Sequence, residues 1–110
     1  MHLSNRNLQD NTLIHINYTM PNANPLPHYR SQIDQIDSQI LELLADRIEV
    51  VKKVGEYKKT QNLPALDQSR WQIVLDKLEL KCQEFNLNFE LVKDVWNRIH
   101  TYTVSLEEKI

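Results

Sequence analysis

The apolar residues between Tyr29 and Thr60 recur at steps of three and four, the spacing of one face of an α-helix. This stripe predicts one long helix that begins just after Pro27 and ends around Gln61. At 1.5 Å per residue the helix is roughly 45–50 Å long, which exceeds the width of a compact monomer of this size. A helix this long with an apolar seam usually pairs with a second copy of itself, so the pattern predicts a homodimer.

Two shorter helices are predicted after the long one. The segment 62–64 (Asn-Leu-Pro) ends the first helix, because proline lacks an N–H donor and disfavours helix at the residue before it. The second helix begins near Asp67 or Ser69, both good N-cap types, and the third opens with Asn88 as its N-cap. The single glycine lies inside the long helix, whereas an all-β domain of this length needs several in its hairpins. The predicted fold class is therefore all-α.

Residues 1–27 differ from the rest of the chain. They are rich in asparagine, contain Pro21, Pro25 and Pro27, and show no sustained helical period. We therefore expect a flexible N-terminal extension at 1–27 and a helical domain at 28–110.

Composition narrows the functional classes. The chain has 110 residues, enough for one small domain, and its formal charge of −2 argues against a nucleic-acid-binding protein. The one cysteine, Cys82, excludes an internal disulfide, leaves no framework for a structural zinc site, and is expected in the core. No run approaches the roughly 20 apolar residues of a membrane span, and the N-terminus lacks a secretory signal pattern. These features predict a cytoplasmic protein that binds neither nucleic acid nor membranes.

The face that carries the apolar stripe also carries three long cations. Arg30, Arg47 and Lys58 stand where an ordinary seam has leucine, and Asp37 is the one acid in the stripe. A single cation at such a position usually buries its stem and keeps its charge in water. Three cations with one acid fit that explanation poorly, because a buried cation is costly unless an anion meets it. The pattern predicts that an anion binds inside the helical assembly.

Spacing along the helix limits which cations can share a ligand. Arg47 and Lys58 are separated by roughly 16 Å along the axis, so two side chains of about 6–7 Å reach can lean toward one ligand. Arg30 is roughly 26 Å from Arg47 and is too distant to join them. An antiparallel partner helix would bring its own Arg30 to the far end of that site. The spacing predicts a composite pocket for a small dianion, shared between two chains.

Residues at fixed separations between Tyr29 and the C-terminus point to a known family. They are Arg30, Ile33, Ile36, Asp37, Ile40, Leu43, Leu44 and Arg47, then Val54, Gly55 and Lys58, then Asp67 and Arg70, and finally Ile99, His100, Thr103, Val104 and Glu107. Their types and spacing resemble the all-helical (type II) chorismate mutase family. The resemblance implies three helices per chain, intertwined as a homodimer with two active sites and no cofactor.

The reaction that the resemblance implies is the Claisen [3,3] rearrangement of chorismate, a dianion, to prephenate in aromatic amino-acid biosynthesis. This rearrangement needs no nucleophile and no net proton transfer, so neither a Ser–His arrangement nor a metal site is expected. The flexible substrate must instead be held in a chair conformation by fixed cationic groups. As its C–O bond breaks, negative charge grows on the ether oxygen, and a preorganised lysine in a dry site stabilises that charge.

The resemblance also implies roles for individual residues. Arg47 and a partner-subunit arginine matching Arg30 clamp the two carboxylates, while Lys58 donates to the ether oxygen. Asp67 and the residue at the position of Trp71 hold the ring hydroxyl.

Three further positions complete the implied site, and one more lies beside it. Arg70 belongs to the same substrate-binding motif as Asp67. Thr103 stands where a serine is usual, near a carboxylate, and Glu107 stands where glutamine, or in some members glutamate, gives a second contact to the ether oxygen. His100 lies near this pocket without a paired ligand or nucleophile and is expected at its wall or at the surface.

Two positions depart from the family's usual pattern. Trp71 stands where many members have glutamate, so an acceptor for the ring hydroxyl is lost; neighbouring Gln72 is a partial substitute, and Trp71 also fits the second helix's apolar stripe as a core residue. Relatives that act on isochorismate or aminodeoxychorismate present different groups at the ring. Glu107 can donate a hydrogen bond to the ether oxygen only when protonated, because an ionised carboxylate repels the developing charge. The alternative is a solvated glutamate in the acidic pair with Glu108.

Two other functions fit parts of the pattern. One is a lyase that splits isochorismate to salicylate and pyruvate on the same scaffold, although Asp67, an acceptor for a ring hydroxyl, favours the mutase. The other is a catalytically idle helical module for dimerisation or regulation. The idle module is disfavoured by five retained charged residues, because a mere dimer seam gains stability from apolar replacements: Arg30, Arg47, Lys58, Asp67 and Arg70.

Overall fold

Three α-helices account for most of the chain that the structure describes. The computed structural model describes residues 24–110, so most of the expected extension at 1–27 lies outside the described residues. Helix α1 spans Leu26–Thr60, α2 spans Gln68–Phe85 and α3 spans Phe89–Glu108. Residues 24–110 contain no strand, and the prediction of an all-α chain with one long and two shorter helices is confirmed.

The two ends of α1 follow from local chemistry. The helix begins at Leu26 rather than after Pro27, because the side chain of Asn24 accepts a hydrogen bond of 3.0 Å from the Leu26 N–H. Pro27 lies in the first turn, where its missing N–H is not needed. At the other end the Leu63 N–H donates to the carbonyl of Lys58 at 2.9 Å and closes the helix.

Side-chain caps begin the other two helices, as the sequence predicts. Asp67 caps α2 by accepting a hydrogen bond of 3.0 Å from the Arg70 N–H. Asn88 caps α3 in the same way, accepting from the Leu91 N–H at 2.9 Å. Between them Asn86 takes a left-handed conformation with φ of 56°, a conformation that asparagine tolerates better than most residues.

The chain divides into two compact units, the first ending at Ala45 and the second running from Asp46 to Ile110. Within the first unit the apolar side chains of α1 are largely uncovered. Ile33 is 55% exposed, Ile40 57% and Leu41 65%. An amphipathic helix normally buries such a stripe, so this face has no covering partner among the described residues.

The second unit contains the C-terminal part of α1 together with α2 and α3. Cys82 is buried on α2, as expected of a small core residue, and Thr103 is buried on α3. Gly55 permits a close approach of α1 to the end of α3. A Cβ added there would lie 2.7 Å from Cδ1 of Ile110 and 3.1 Å from Cγ of Glu107, closer than ordinary contact allows.

None of the helices in residues 24–110 combines the length and the apolar character needed to cross a membrane.

Candidate anion-binding site

A cavity of about 270 Å³ lies inside the second unit, and α1, α2 and α3 all contribute to its walls. Most of the site residues expected from the sequence line it: Arg47, Lys58, Asp67, Arg70, Trp71, Thr103 and Glu107. Arg30 does not line this cavity and is exposed on the part of α1 that belongs to the first unit. The structure of one chain therefore brings together every expected site residue except Arg30.

A second cavity, of about 300 Å³, also borders Lys58 and Glu107, but its charged walls are different. It is lined by Lys59 and Glu108 and contains no arginine. The cavity of about 270 Å³ contains two arginines besides the lysine, and guanidinium groups match carboxylates with two parallel hydrogen bonds. Of these two cavities it is therefore the better site for a dicarboxylate, and we call it the anion pocket.

Lys58 is held at the pocket by two oxygen atoms. Its Nζ donates to the carbonyl of Ala65 at 2.7 Å and to Oε1 of Glu107 at 2.9 Å. The side chains of Lys58 and Glu107 are only 19% and 9% exposed, so water screens this ion pair weakly. Because an ammonium group has three N–H donors, one remains for a ligand.

Arg47 carries the clearest sign of a missing partner. Its Nη1 is buried, and no acceptor for it is present among residues 24–110. A buried donor without an acceptor destabilises a folded protein, so such groups are rare outside functional sites. An anion in the pocket supplies the acceptor that the described chain does not.

The beginning of α2 adds positive potential to the pocket. Asp67 and Arg70 line the pocket at this end of the helix, where the backbone N–H groups point outward and the helix dipole is positive. Asp67 already uses Oδ1 to cap the helix. This hydrogen bond therefore fixes the Asp67 carboxylate relative to α2, the helix that carries Arg70.

Trp71 and His100 form an aromatic wall of the pocket. Their rings stack with centroids 3.9 Å apart and an angle of 8° between planes. Trp71 is half-buried, so the structure combines the two alternatives considered from the sequence, a packed residue and a pocket-lining one. His100 lies at the pocket wall as expected, but sequence reasoning did not anticipate its stack with Trp71. The available signal was its spacing from Thr103 and Glu107, which places all three on one face of α3.

Burial lowers the pKa of His100 below its ordinary value of 6.5. The positive charge of Arg47 lowers this pKa further and Lys58 adds to the effect, while Glu107 opposes it. The imidazole in this structure is therefore held in its neutral form at neutral pH.

Two further contacts were not predicted from the sequence. The carbonyl of Ala65 accepts from Lys58 because the loop after α1 folds back along the end of that helix. In this arrangement the hydroxyl of Thr103 donates to the carbonyl of His100 at 3.2 Å, so its oxygen is available only as an acceptor.

Within residues 24–110 no three histidine, cysteine or acidic side chains gather closely enough to hold a metal ion.

Comparison with known proteins gives a consistent result. The family model described as chorismate mutase type II matches residues 29–108. The chain is 34% identical, over 91 residues, to a bifunctional chorismate mutase/prephenate dehydratase of Buchnera aphidicola subsp. Schizaphis graminum, which covers 83% of this chain and 24% of that protein. It is 35% identical, over 63 residues, to a chorismate mutase of Methanocaldococcus jannaschii, covering 57% of this chain and 64% of the relative.

A third relative is the T-protein of Haemophilus influenzae, 32% identical over 73 residues that make up 66% of this chain and 19% of that protein. The chain thus spans less than two thirds of the length of each of these three relatives. No solved structure gives a significant match.

Proposed function

This chain belongs to the type II chorismate mutase family, whose model covers residues 29–108, and on that premise we propose that it converts chorismate to prephenate by a Claisen [3,3] rearrangement. The single observation that carries the proposal is the buried, unpartnered Nη1 of Arg47 in a pocket that also contains Lys58 and Arg70. A small dicarboxylate satisfies that nitrogen and balances the cations. The proposed cellular role is aromatic amino-acid biosynthesis in the cytoplasm, without a cofactor.

The proposed catalysis combines positioning with electrostatic stabilisation. Arg47 binds one carboxylate of chorismate and restricts the flexible substrate, so the two reacting arms are held near each other. Lys58 directs its remaining N–H toward the ether oxygen. Because charge on that oxygen is larger in the transition state than in the substrate, the lysine lowers the activation barrier.

The other pocket residues hold the ring and the carboxylates of the substrate. Asp67 and Arg70 bind at the ring side, and Trp71 provides a flat apolar surface. The Thr103 hydroxyl turns from the carbonyl of His100 to donate to a carboxylate, since an ionised carboxylate only accepts. Glu107 pairs with Lys58 at 2.9 Å, so both side chains are directed at the same point of the pocket. In the reacting complex it contributes to binding the ether oxygen when it is protonated.

Chorismate and isochorismate are the substrates for the direct test. The purified chain is incubated with each, and substrate loss and products are followed by chromatography. We expect prephenate from chorismate and no salicylate from isochorismate. Salicylate as the main product indicates the lyase, and no turnover of either substrate by a folded protein indicates the idle module.

A matched pair of variants tests whether the mutase activity depends on the anion pocket. Lys58→Met removes the proposed ether contact and is expected to lower kcat about 10²–10³-fold, the typical effect of losing one transition-state hydrogen-bond donor. Lys53→Met removes an exposed lysine from the same helix and serves as the control. Equal activities for the two variants contradict the proposal.

We further propose that two chains intertwine as a homodimer and that Arg30 of the partner subunit completes each pocket. The exposed stripe of Ile33, Ile40 and Leu41 supports this, because contact with a second copy removes it from water. The Arg30 guanidinium then binds the second carboxylate of the substrate.

Mixing two inactive variants tests the shared site. Arg30→Ala and Lys58→Ala chains are each expected to be inactive alone. After subunit exchange, half of the dimers are mixed and each has one intact site, so about a quarter of the wild-type activity returns for a symmetric dimer. Failure of any activity to return, with mixed dimers demonstrated by mass, contradicts the sharing of Arg30.

A further inference from the structure

The stacked pair of Trp71 and His100 places an imidazole in the wall of a pocket that also contains the cations Arg47, Lys58 and Arg70. The indole covers one face of the imidazole at 3.9 Å, and because the two ring nitrogens form hydrogen bonds in the plane of the ring, the stack leaves its edge accessible. The hydrogen bonds around the pocket in residues 24–110 engage other groups and leave both imidazole nitrogens available. His100 is thus fixed in orientation and not committed to a protein partner.

The charges around His100 come from all three helices. Arg47 and Lys58 face it from α1 and disfavour its protonation, while Glu107 on its own helix favours protonation. From α2, the ring of Trp71 covers it, and the pocket also contains Asp67 and Arg70. A bound dianion adds two negative charges to this set and offsets the repulsion from the cations.

We propose that His100 is a further substrate-contacting residue of the anion pocket, and that a bound dicarboxylate and a proton on its imidazole stabilise each other. The inference rests on the proposed function, since it takes the ligand to be a dianion bound beside Arg47. Coupling of this kind is reciprocal: if protonation of His100 tightens binding, the ligand raises the pKa of His100 by the equivalent amount. The stack with Trp71 keeps the ring in position in both protonation states.

The test measures binding without turnover. The probe is an unreactive oxabicyclic dicarboxylate shaped like the cyclic transition state of the rearrangement, titrated calorimetrically from about pH 8 to about pH 5, where imidazole titrates. We expect the affinity of the wild-type protein to rise about tenfold over this interval, within the usual range for coupled sites. In parallel, the NMR titration of the His100 imidazole should show a higher pKa with the probe than without it.

Three variants distinguish the effect of protonating His100 from the effect of its packing against Trp71. His100→Phe retains a ring against Trp71 but cannot titrate, and His100→Gln retains hydrogen-bonding groups without a charge. Both are expected to bind the probe with a much flatter pH profile, provided that circular dichroism shows them folded. His15→Gln, which removes an imidazole from the segment before Asn24, is expected to keep the wild-type profile.

The outcomes distinguish this inference from the proposed function. If wild-type protein binds the probe equally at every pH, or if its pH profile persists in both His100 variants, the coupling is refuted while the anion pocket stands. If the pKa of His100 is the same with and without bound probe, the coupling is also refuted. If the folded wild-type protein does not bind the probe at any pH, both the inference and the proposed function are refuted.

Discussion

Replacing Arg47 with methionine tests whether its buried guanidinium serves a ligand or the fold. A buried donor without an acceptor destabilises the folded state by about 1–3 kcal/mol, and Nη1 of Arg47 is such a donor in residues 24–110. Methionine preserves an apolar, flexible stem of similar length and removes the donor. We therefore expect Arg47→Met to raise the free energy of unfolding by about 1–2 kcal/mol, while abolishing binding of the dianion.

The assay is urea-induced unfolding followed by circular dichroism. All proteins are measured at one concentration, because the stability of a dimer depends on protein concentration. A gain of about 1 kcal/mol corresponds to a rise in Tm of about 4–8 °C in a domain this small, so thermal unfolding gives an independent readout. Arg98→Met, an exposed position on α3, is the matched control and should change stability by less than about 0.5 kcal/mol.

A ligand arm of the same experiment links stability to the pocket. A dianion at about one hundred times its Kd should stabilise the wild-type protein by about 2.7 kcal/mol and leave Arg47→Met unchanged. The reasoning is refuted if Arg47→Met lowers the free energy of unfolding by more than about 1 kcal/mol, the usual size of a harmful substitution. That result means that the guanidinium has a protein partner in the assembled molecule and is needed for folding.

Three more predictions concern the surroundings of the pocket. Gly55→Val should destabilise the protein by about 1–3 kcal/mol, because an added side chain meets Ile110 and Glu107 at the helix contact. Wild-type activity should be higher in acidic than in neutral solution, since only the acid form of the Glu107 side chain donates a hydrogen bond, and Glu107→Gln, whose amide always donates, should flatten this profile. In the ligand-free protein, stability should fall as the pH drops below 6.5, because the lowered pKa of His100 makes the unfolded state take up the proton first; His100→Gln should reduce this loss.

Each of the three has a result that contradicts it. Wild-type stability in Gly55→Val, measured in urea, shows that α1 and α3 have room to separate. A pH-independent rate for the wild-type enzyme rules out the proposed protonation of Glu107. Identical dependence of the unfolding free energy on pH in wild type and His100→Gln shows that the histidine is not the group responsible for the acid sensitivity.

Much of the fold was predictable because its determinants are local. The spacing of apolar residues at alternating steps of three and four predicts α1, and the proline at position 64 predicts that this helix ends before it. Both effects act within about one turn of the backbone. Asp67 and Asn88 identify the starts of α2 and α3 because an N-cap needs only a side-chain oxygen and an N–H two or three residues later. The start of α1 was placed too late because the contribution of Asn24 was overlooked.

The sequence alone also determined the cationic character of the site, through the spacing of Arg47 and Lys58 on one helical face and through the family resemblance. Tertiary packing decided how these residues are held. Lys58 pairs with Glu107 across 49 positions of the chain, and Trp71 stacks on His100 from another helix. Helical periodicity specifies which face a residue occupies but not which face of another helix meets it, because that choice depends on how side-chain volumes fit together.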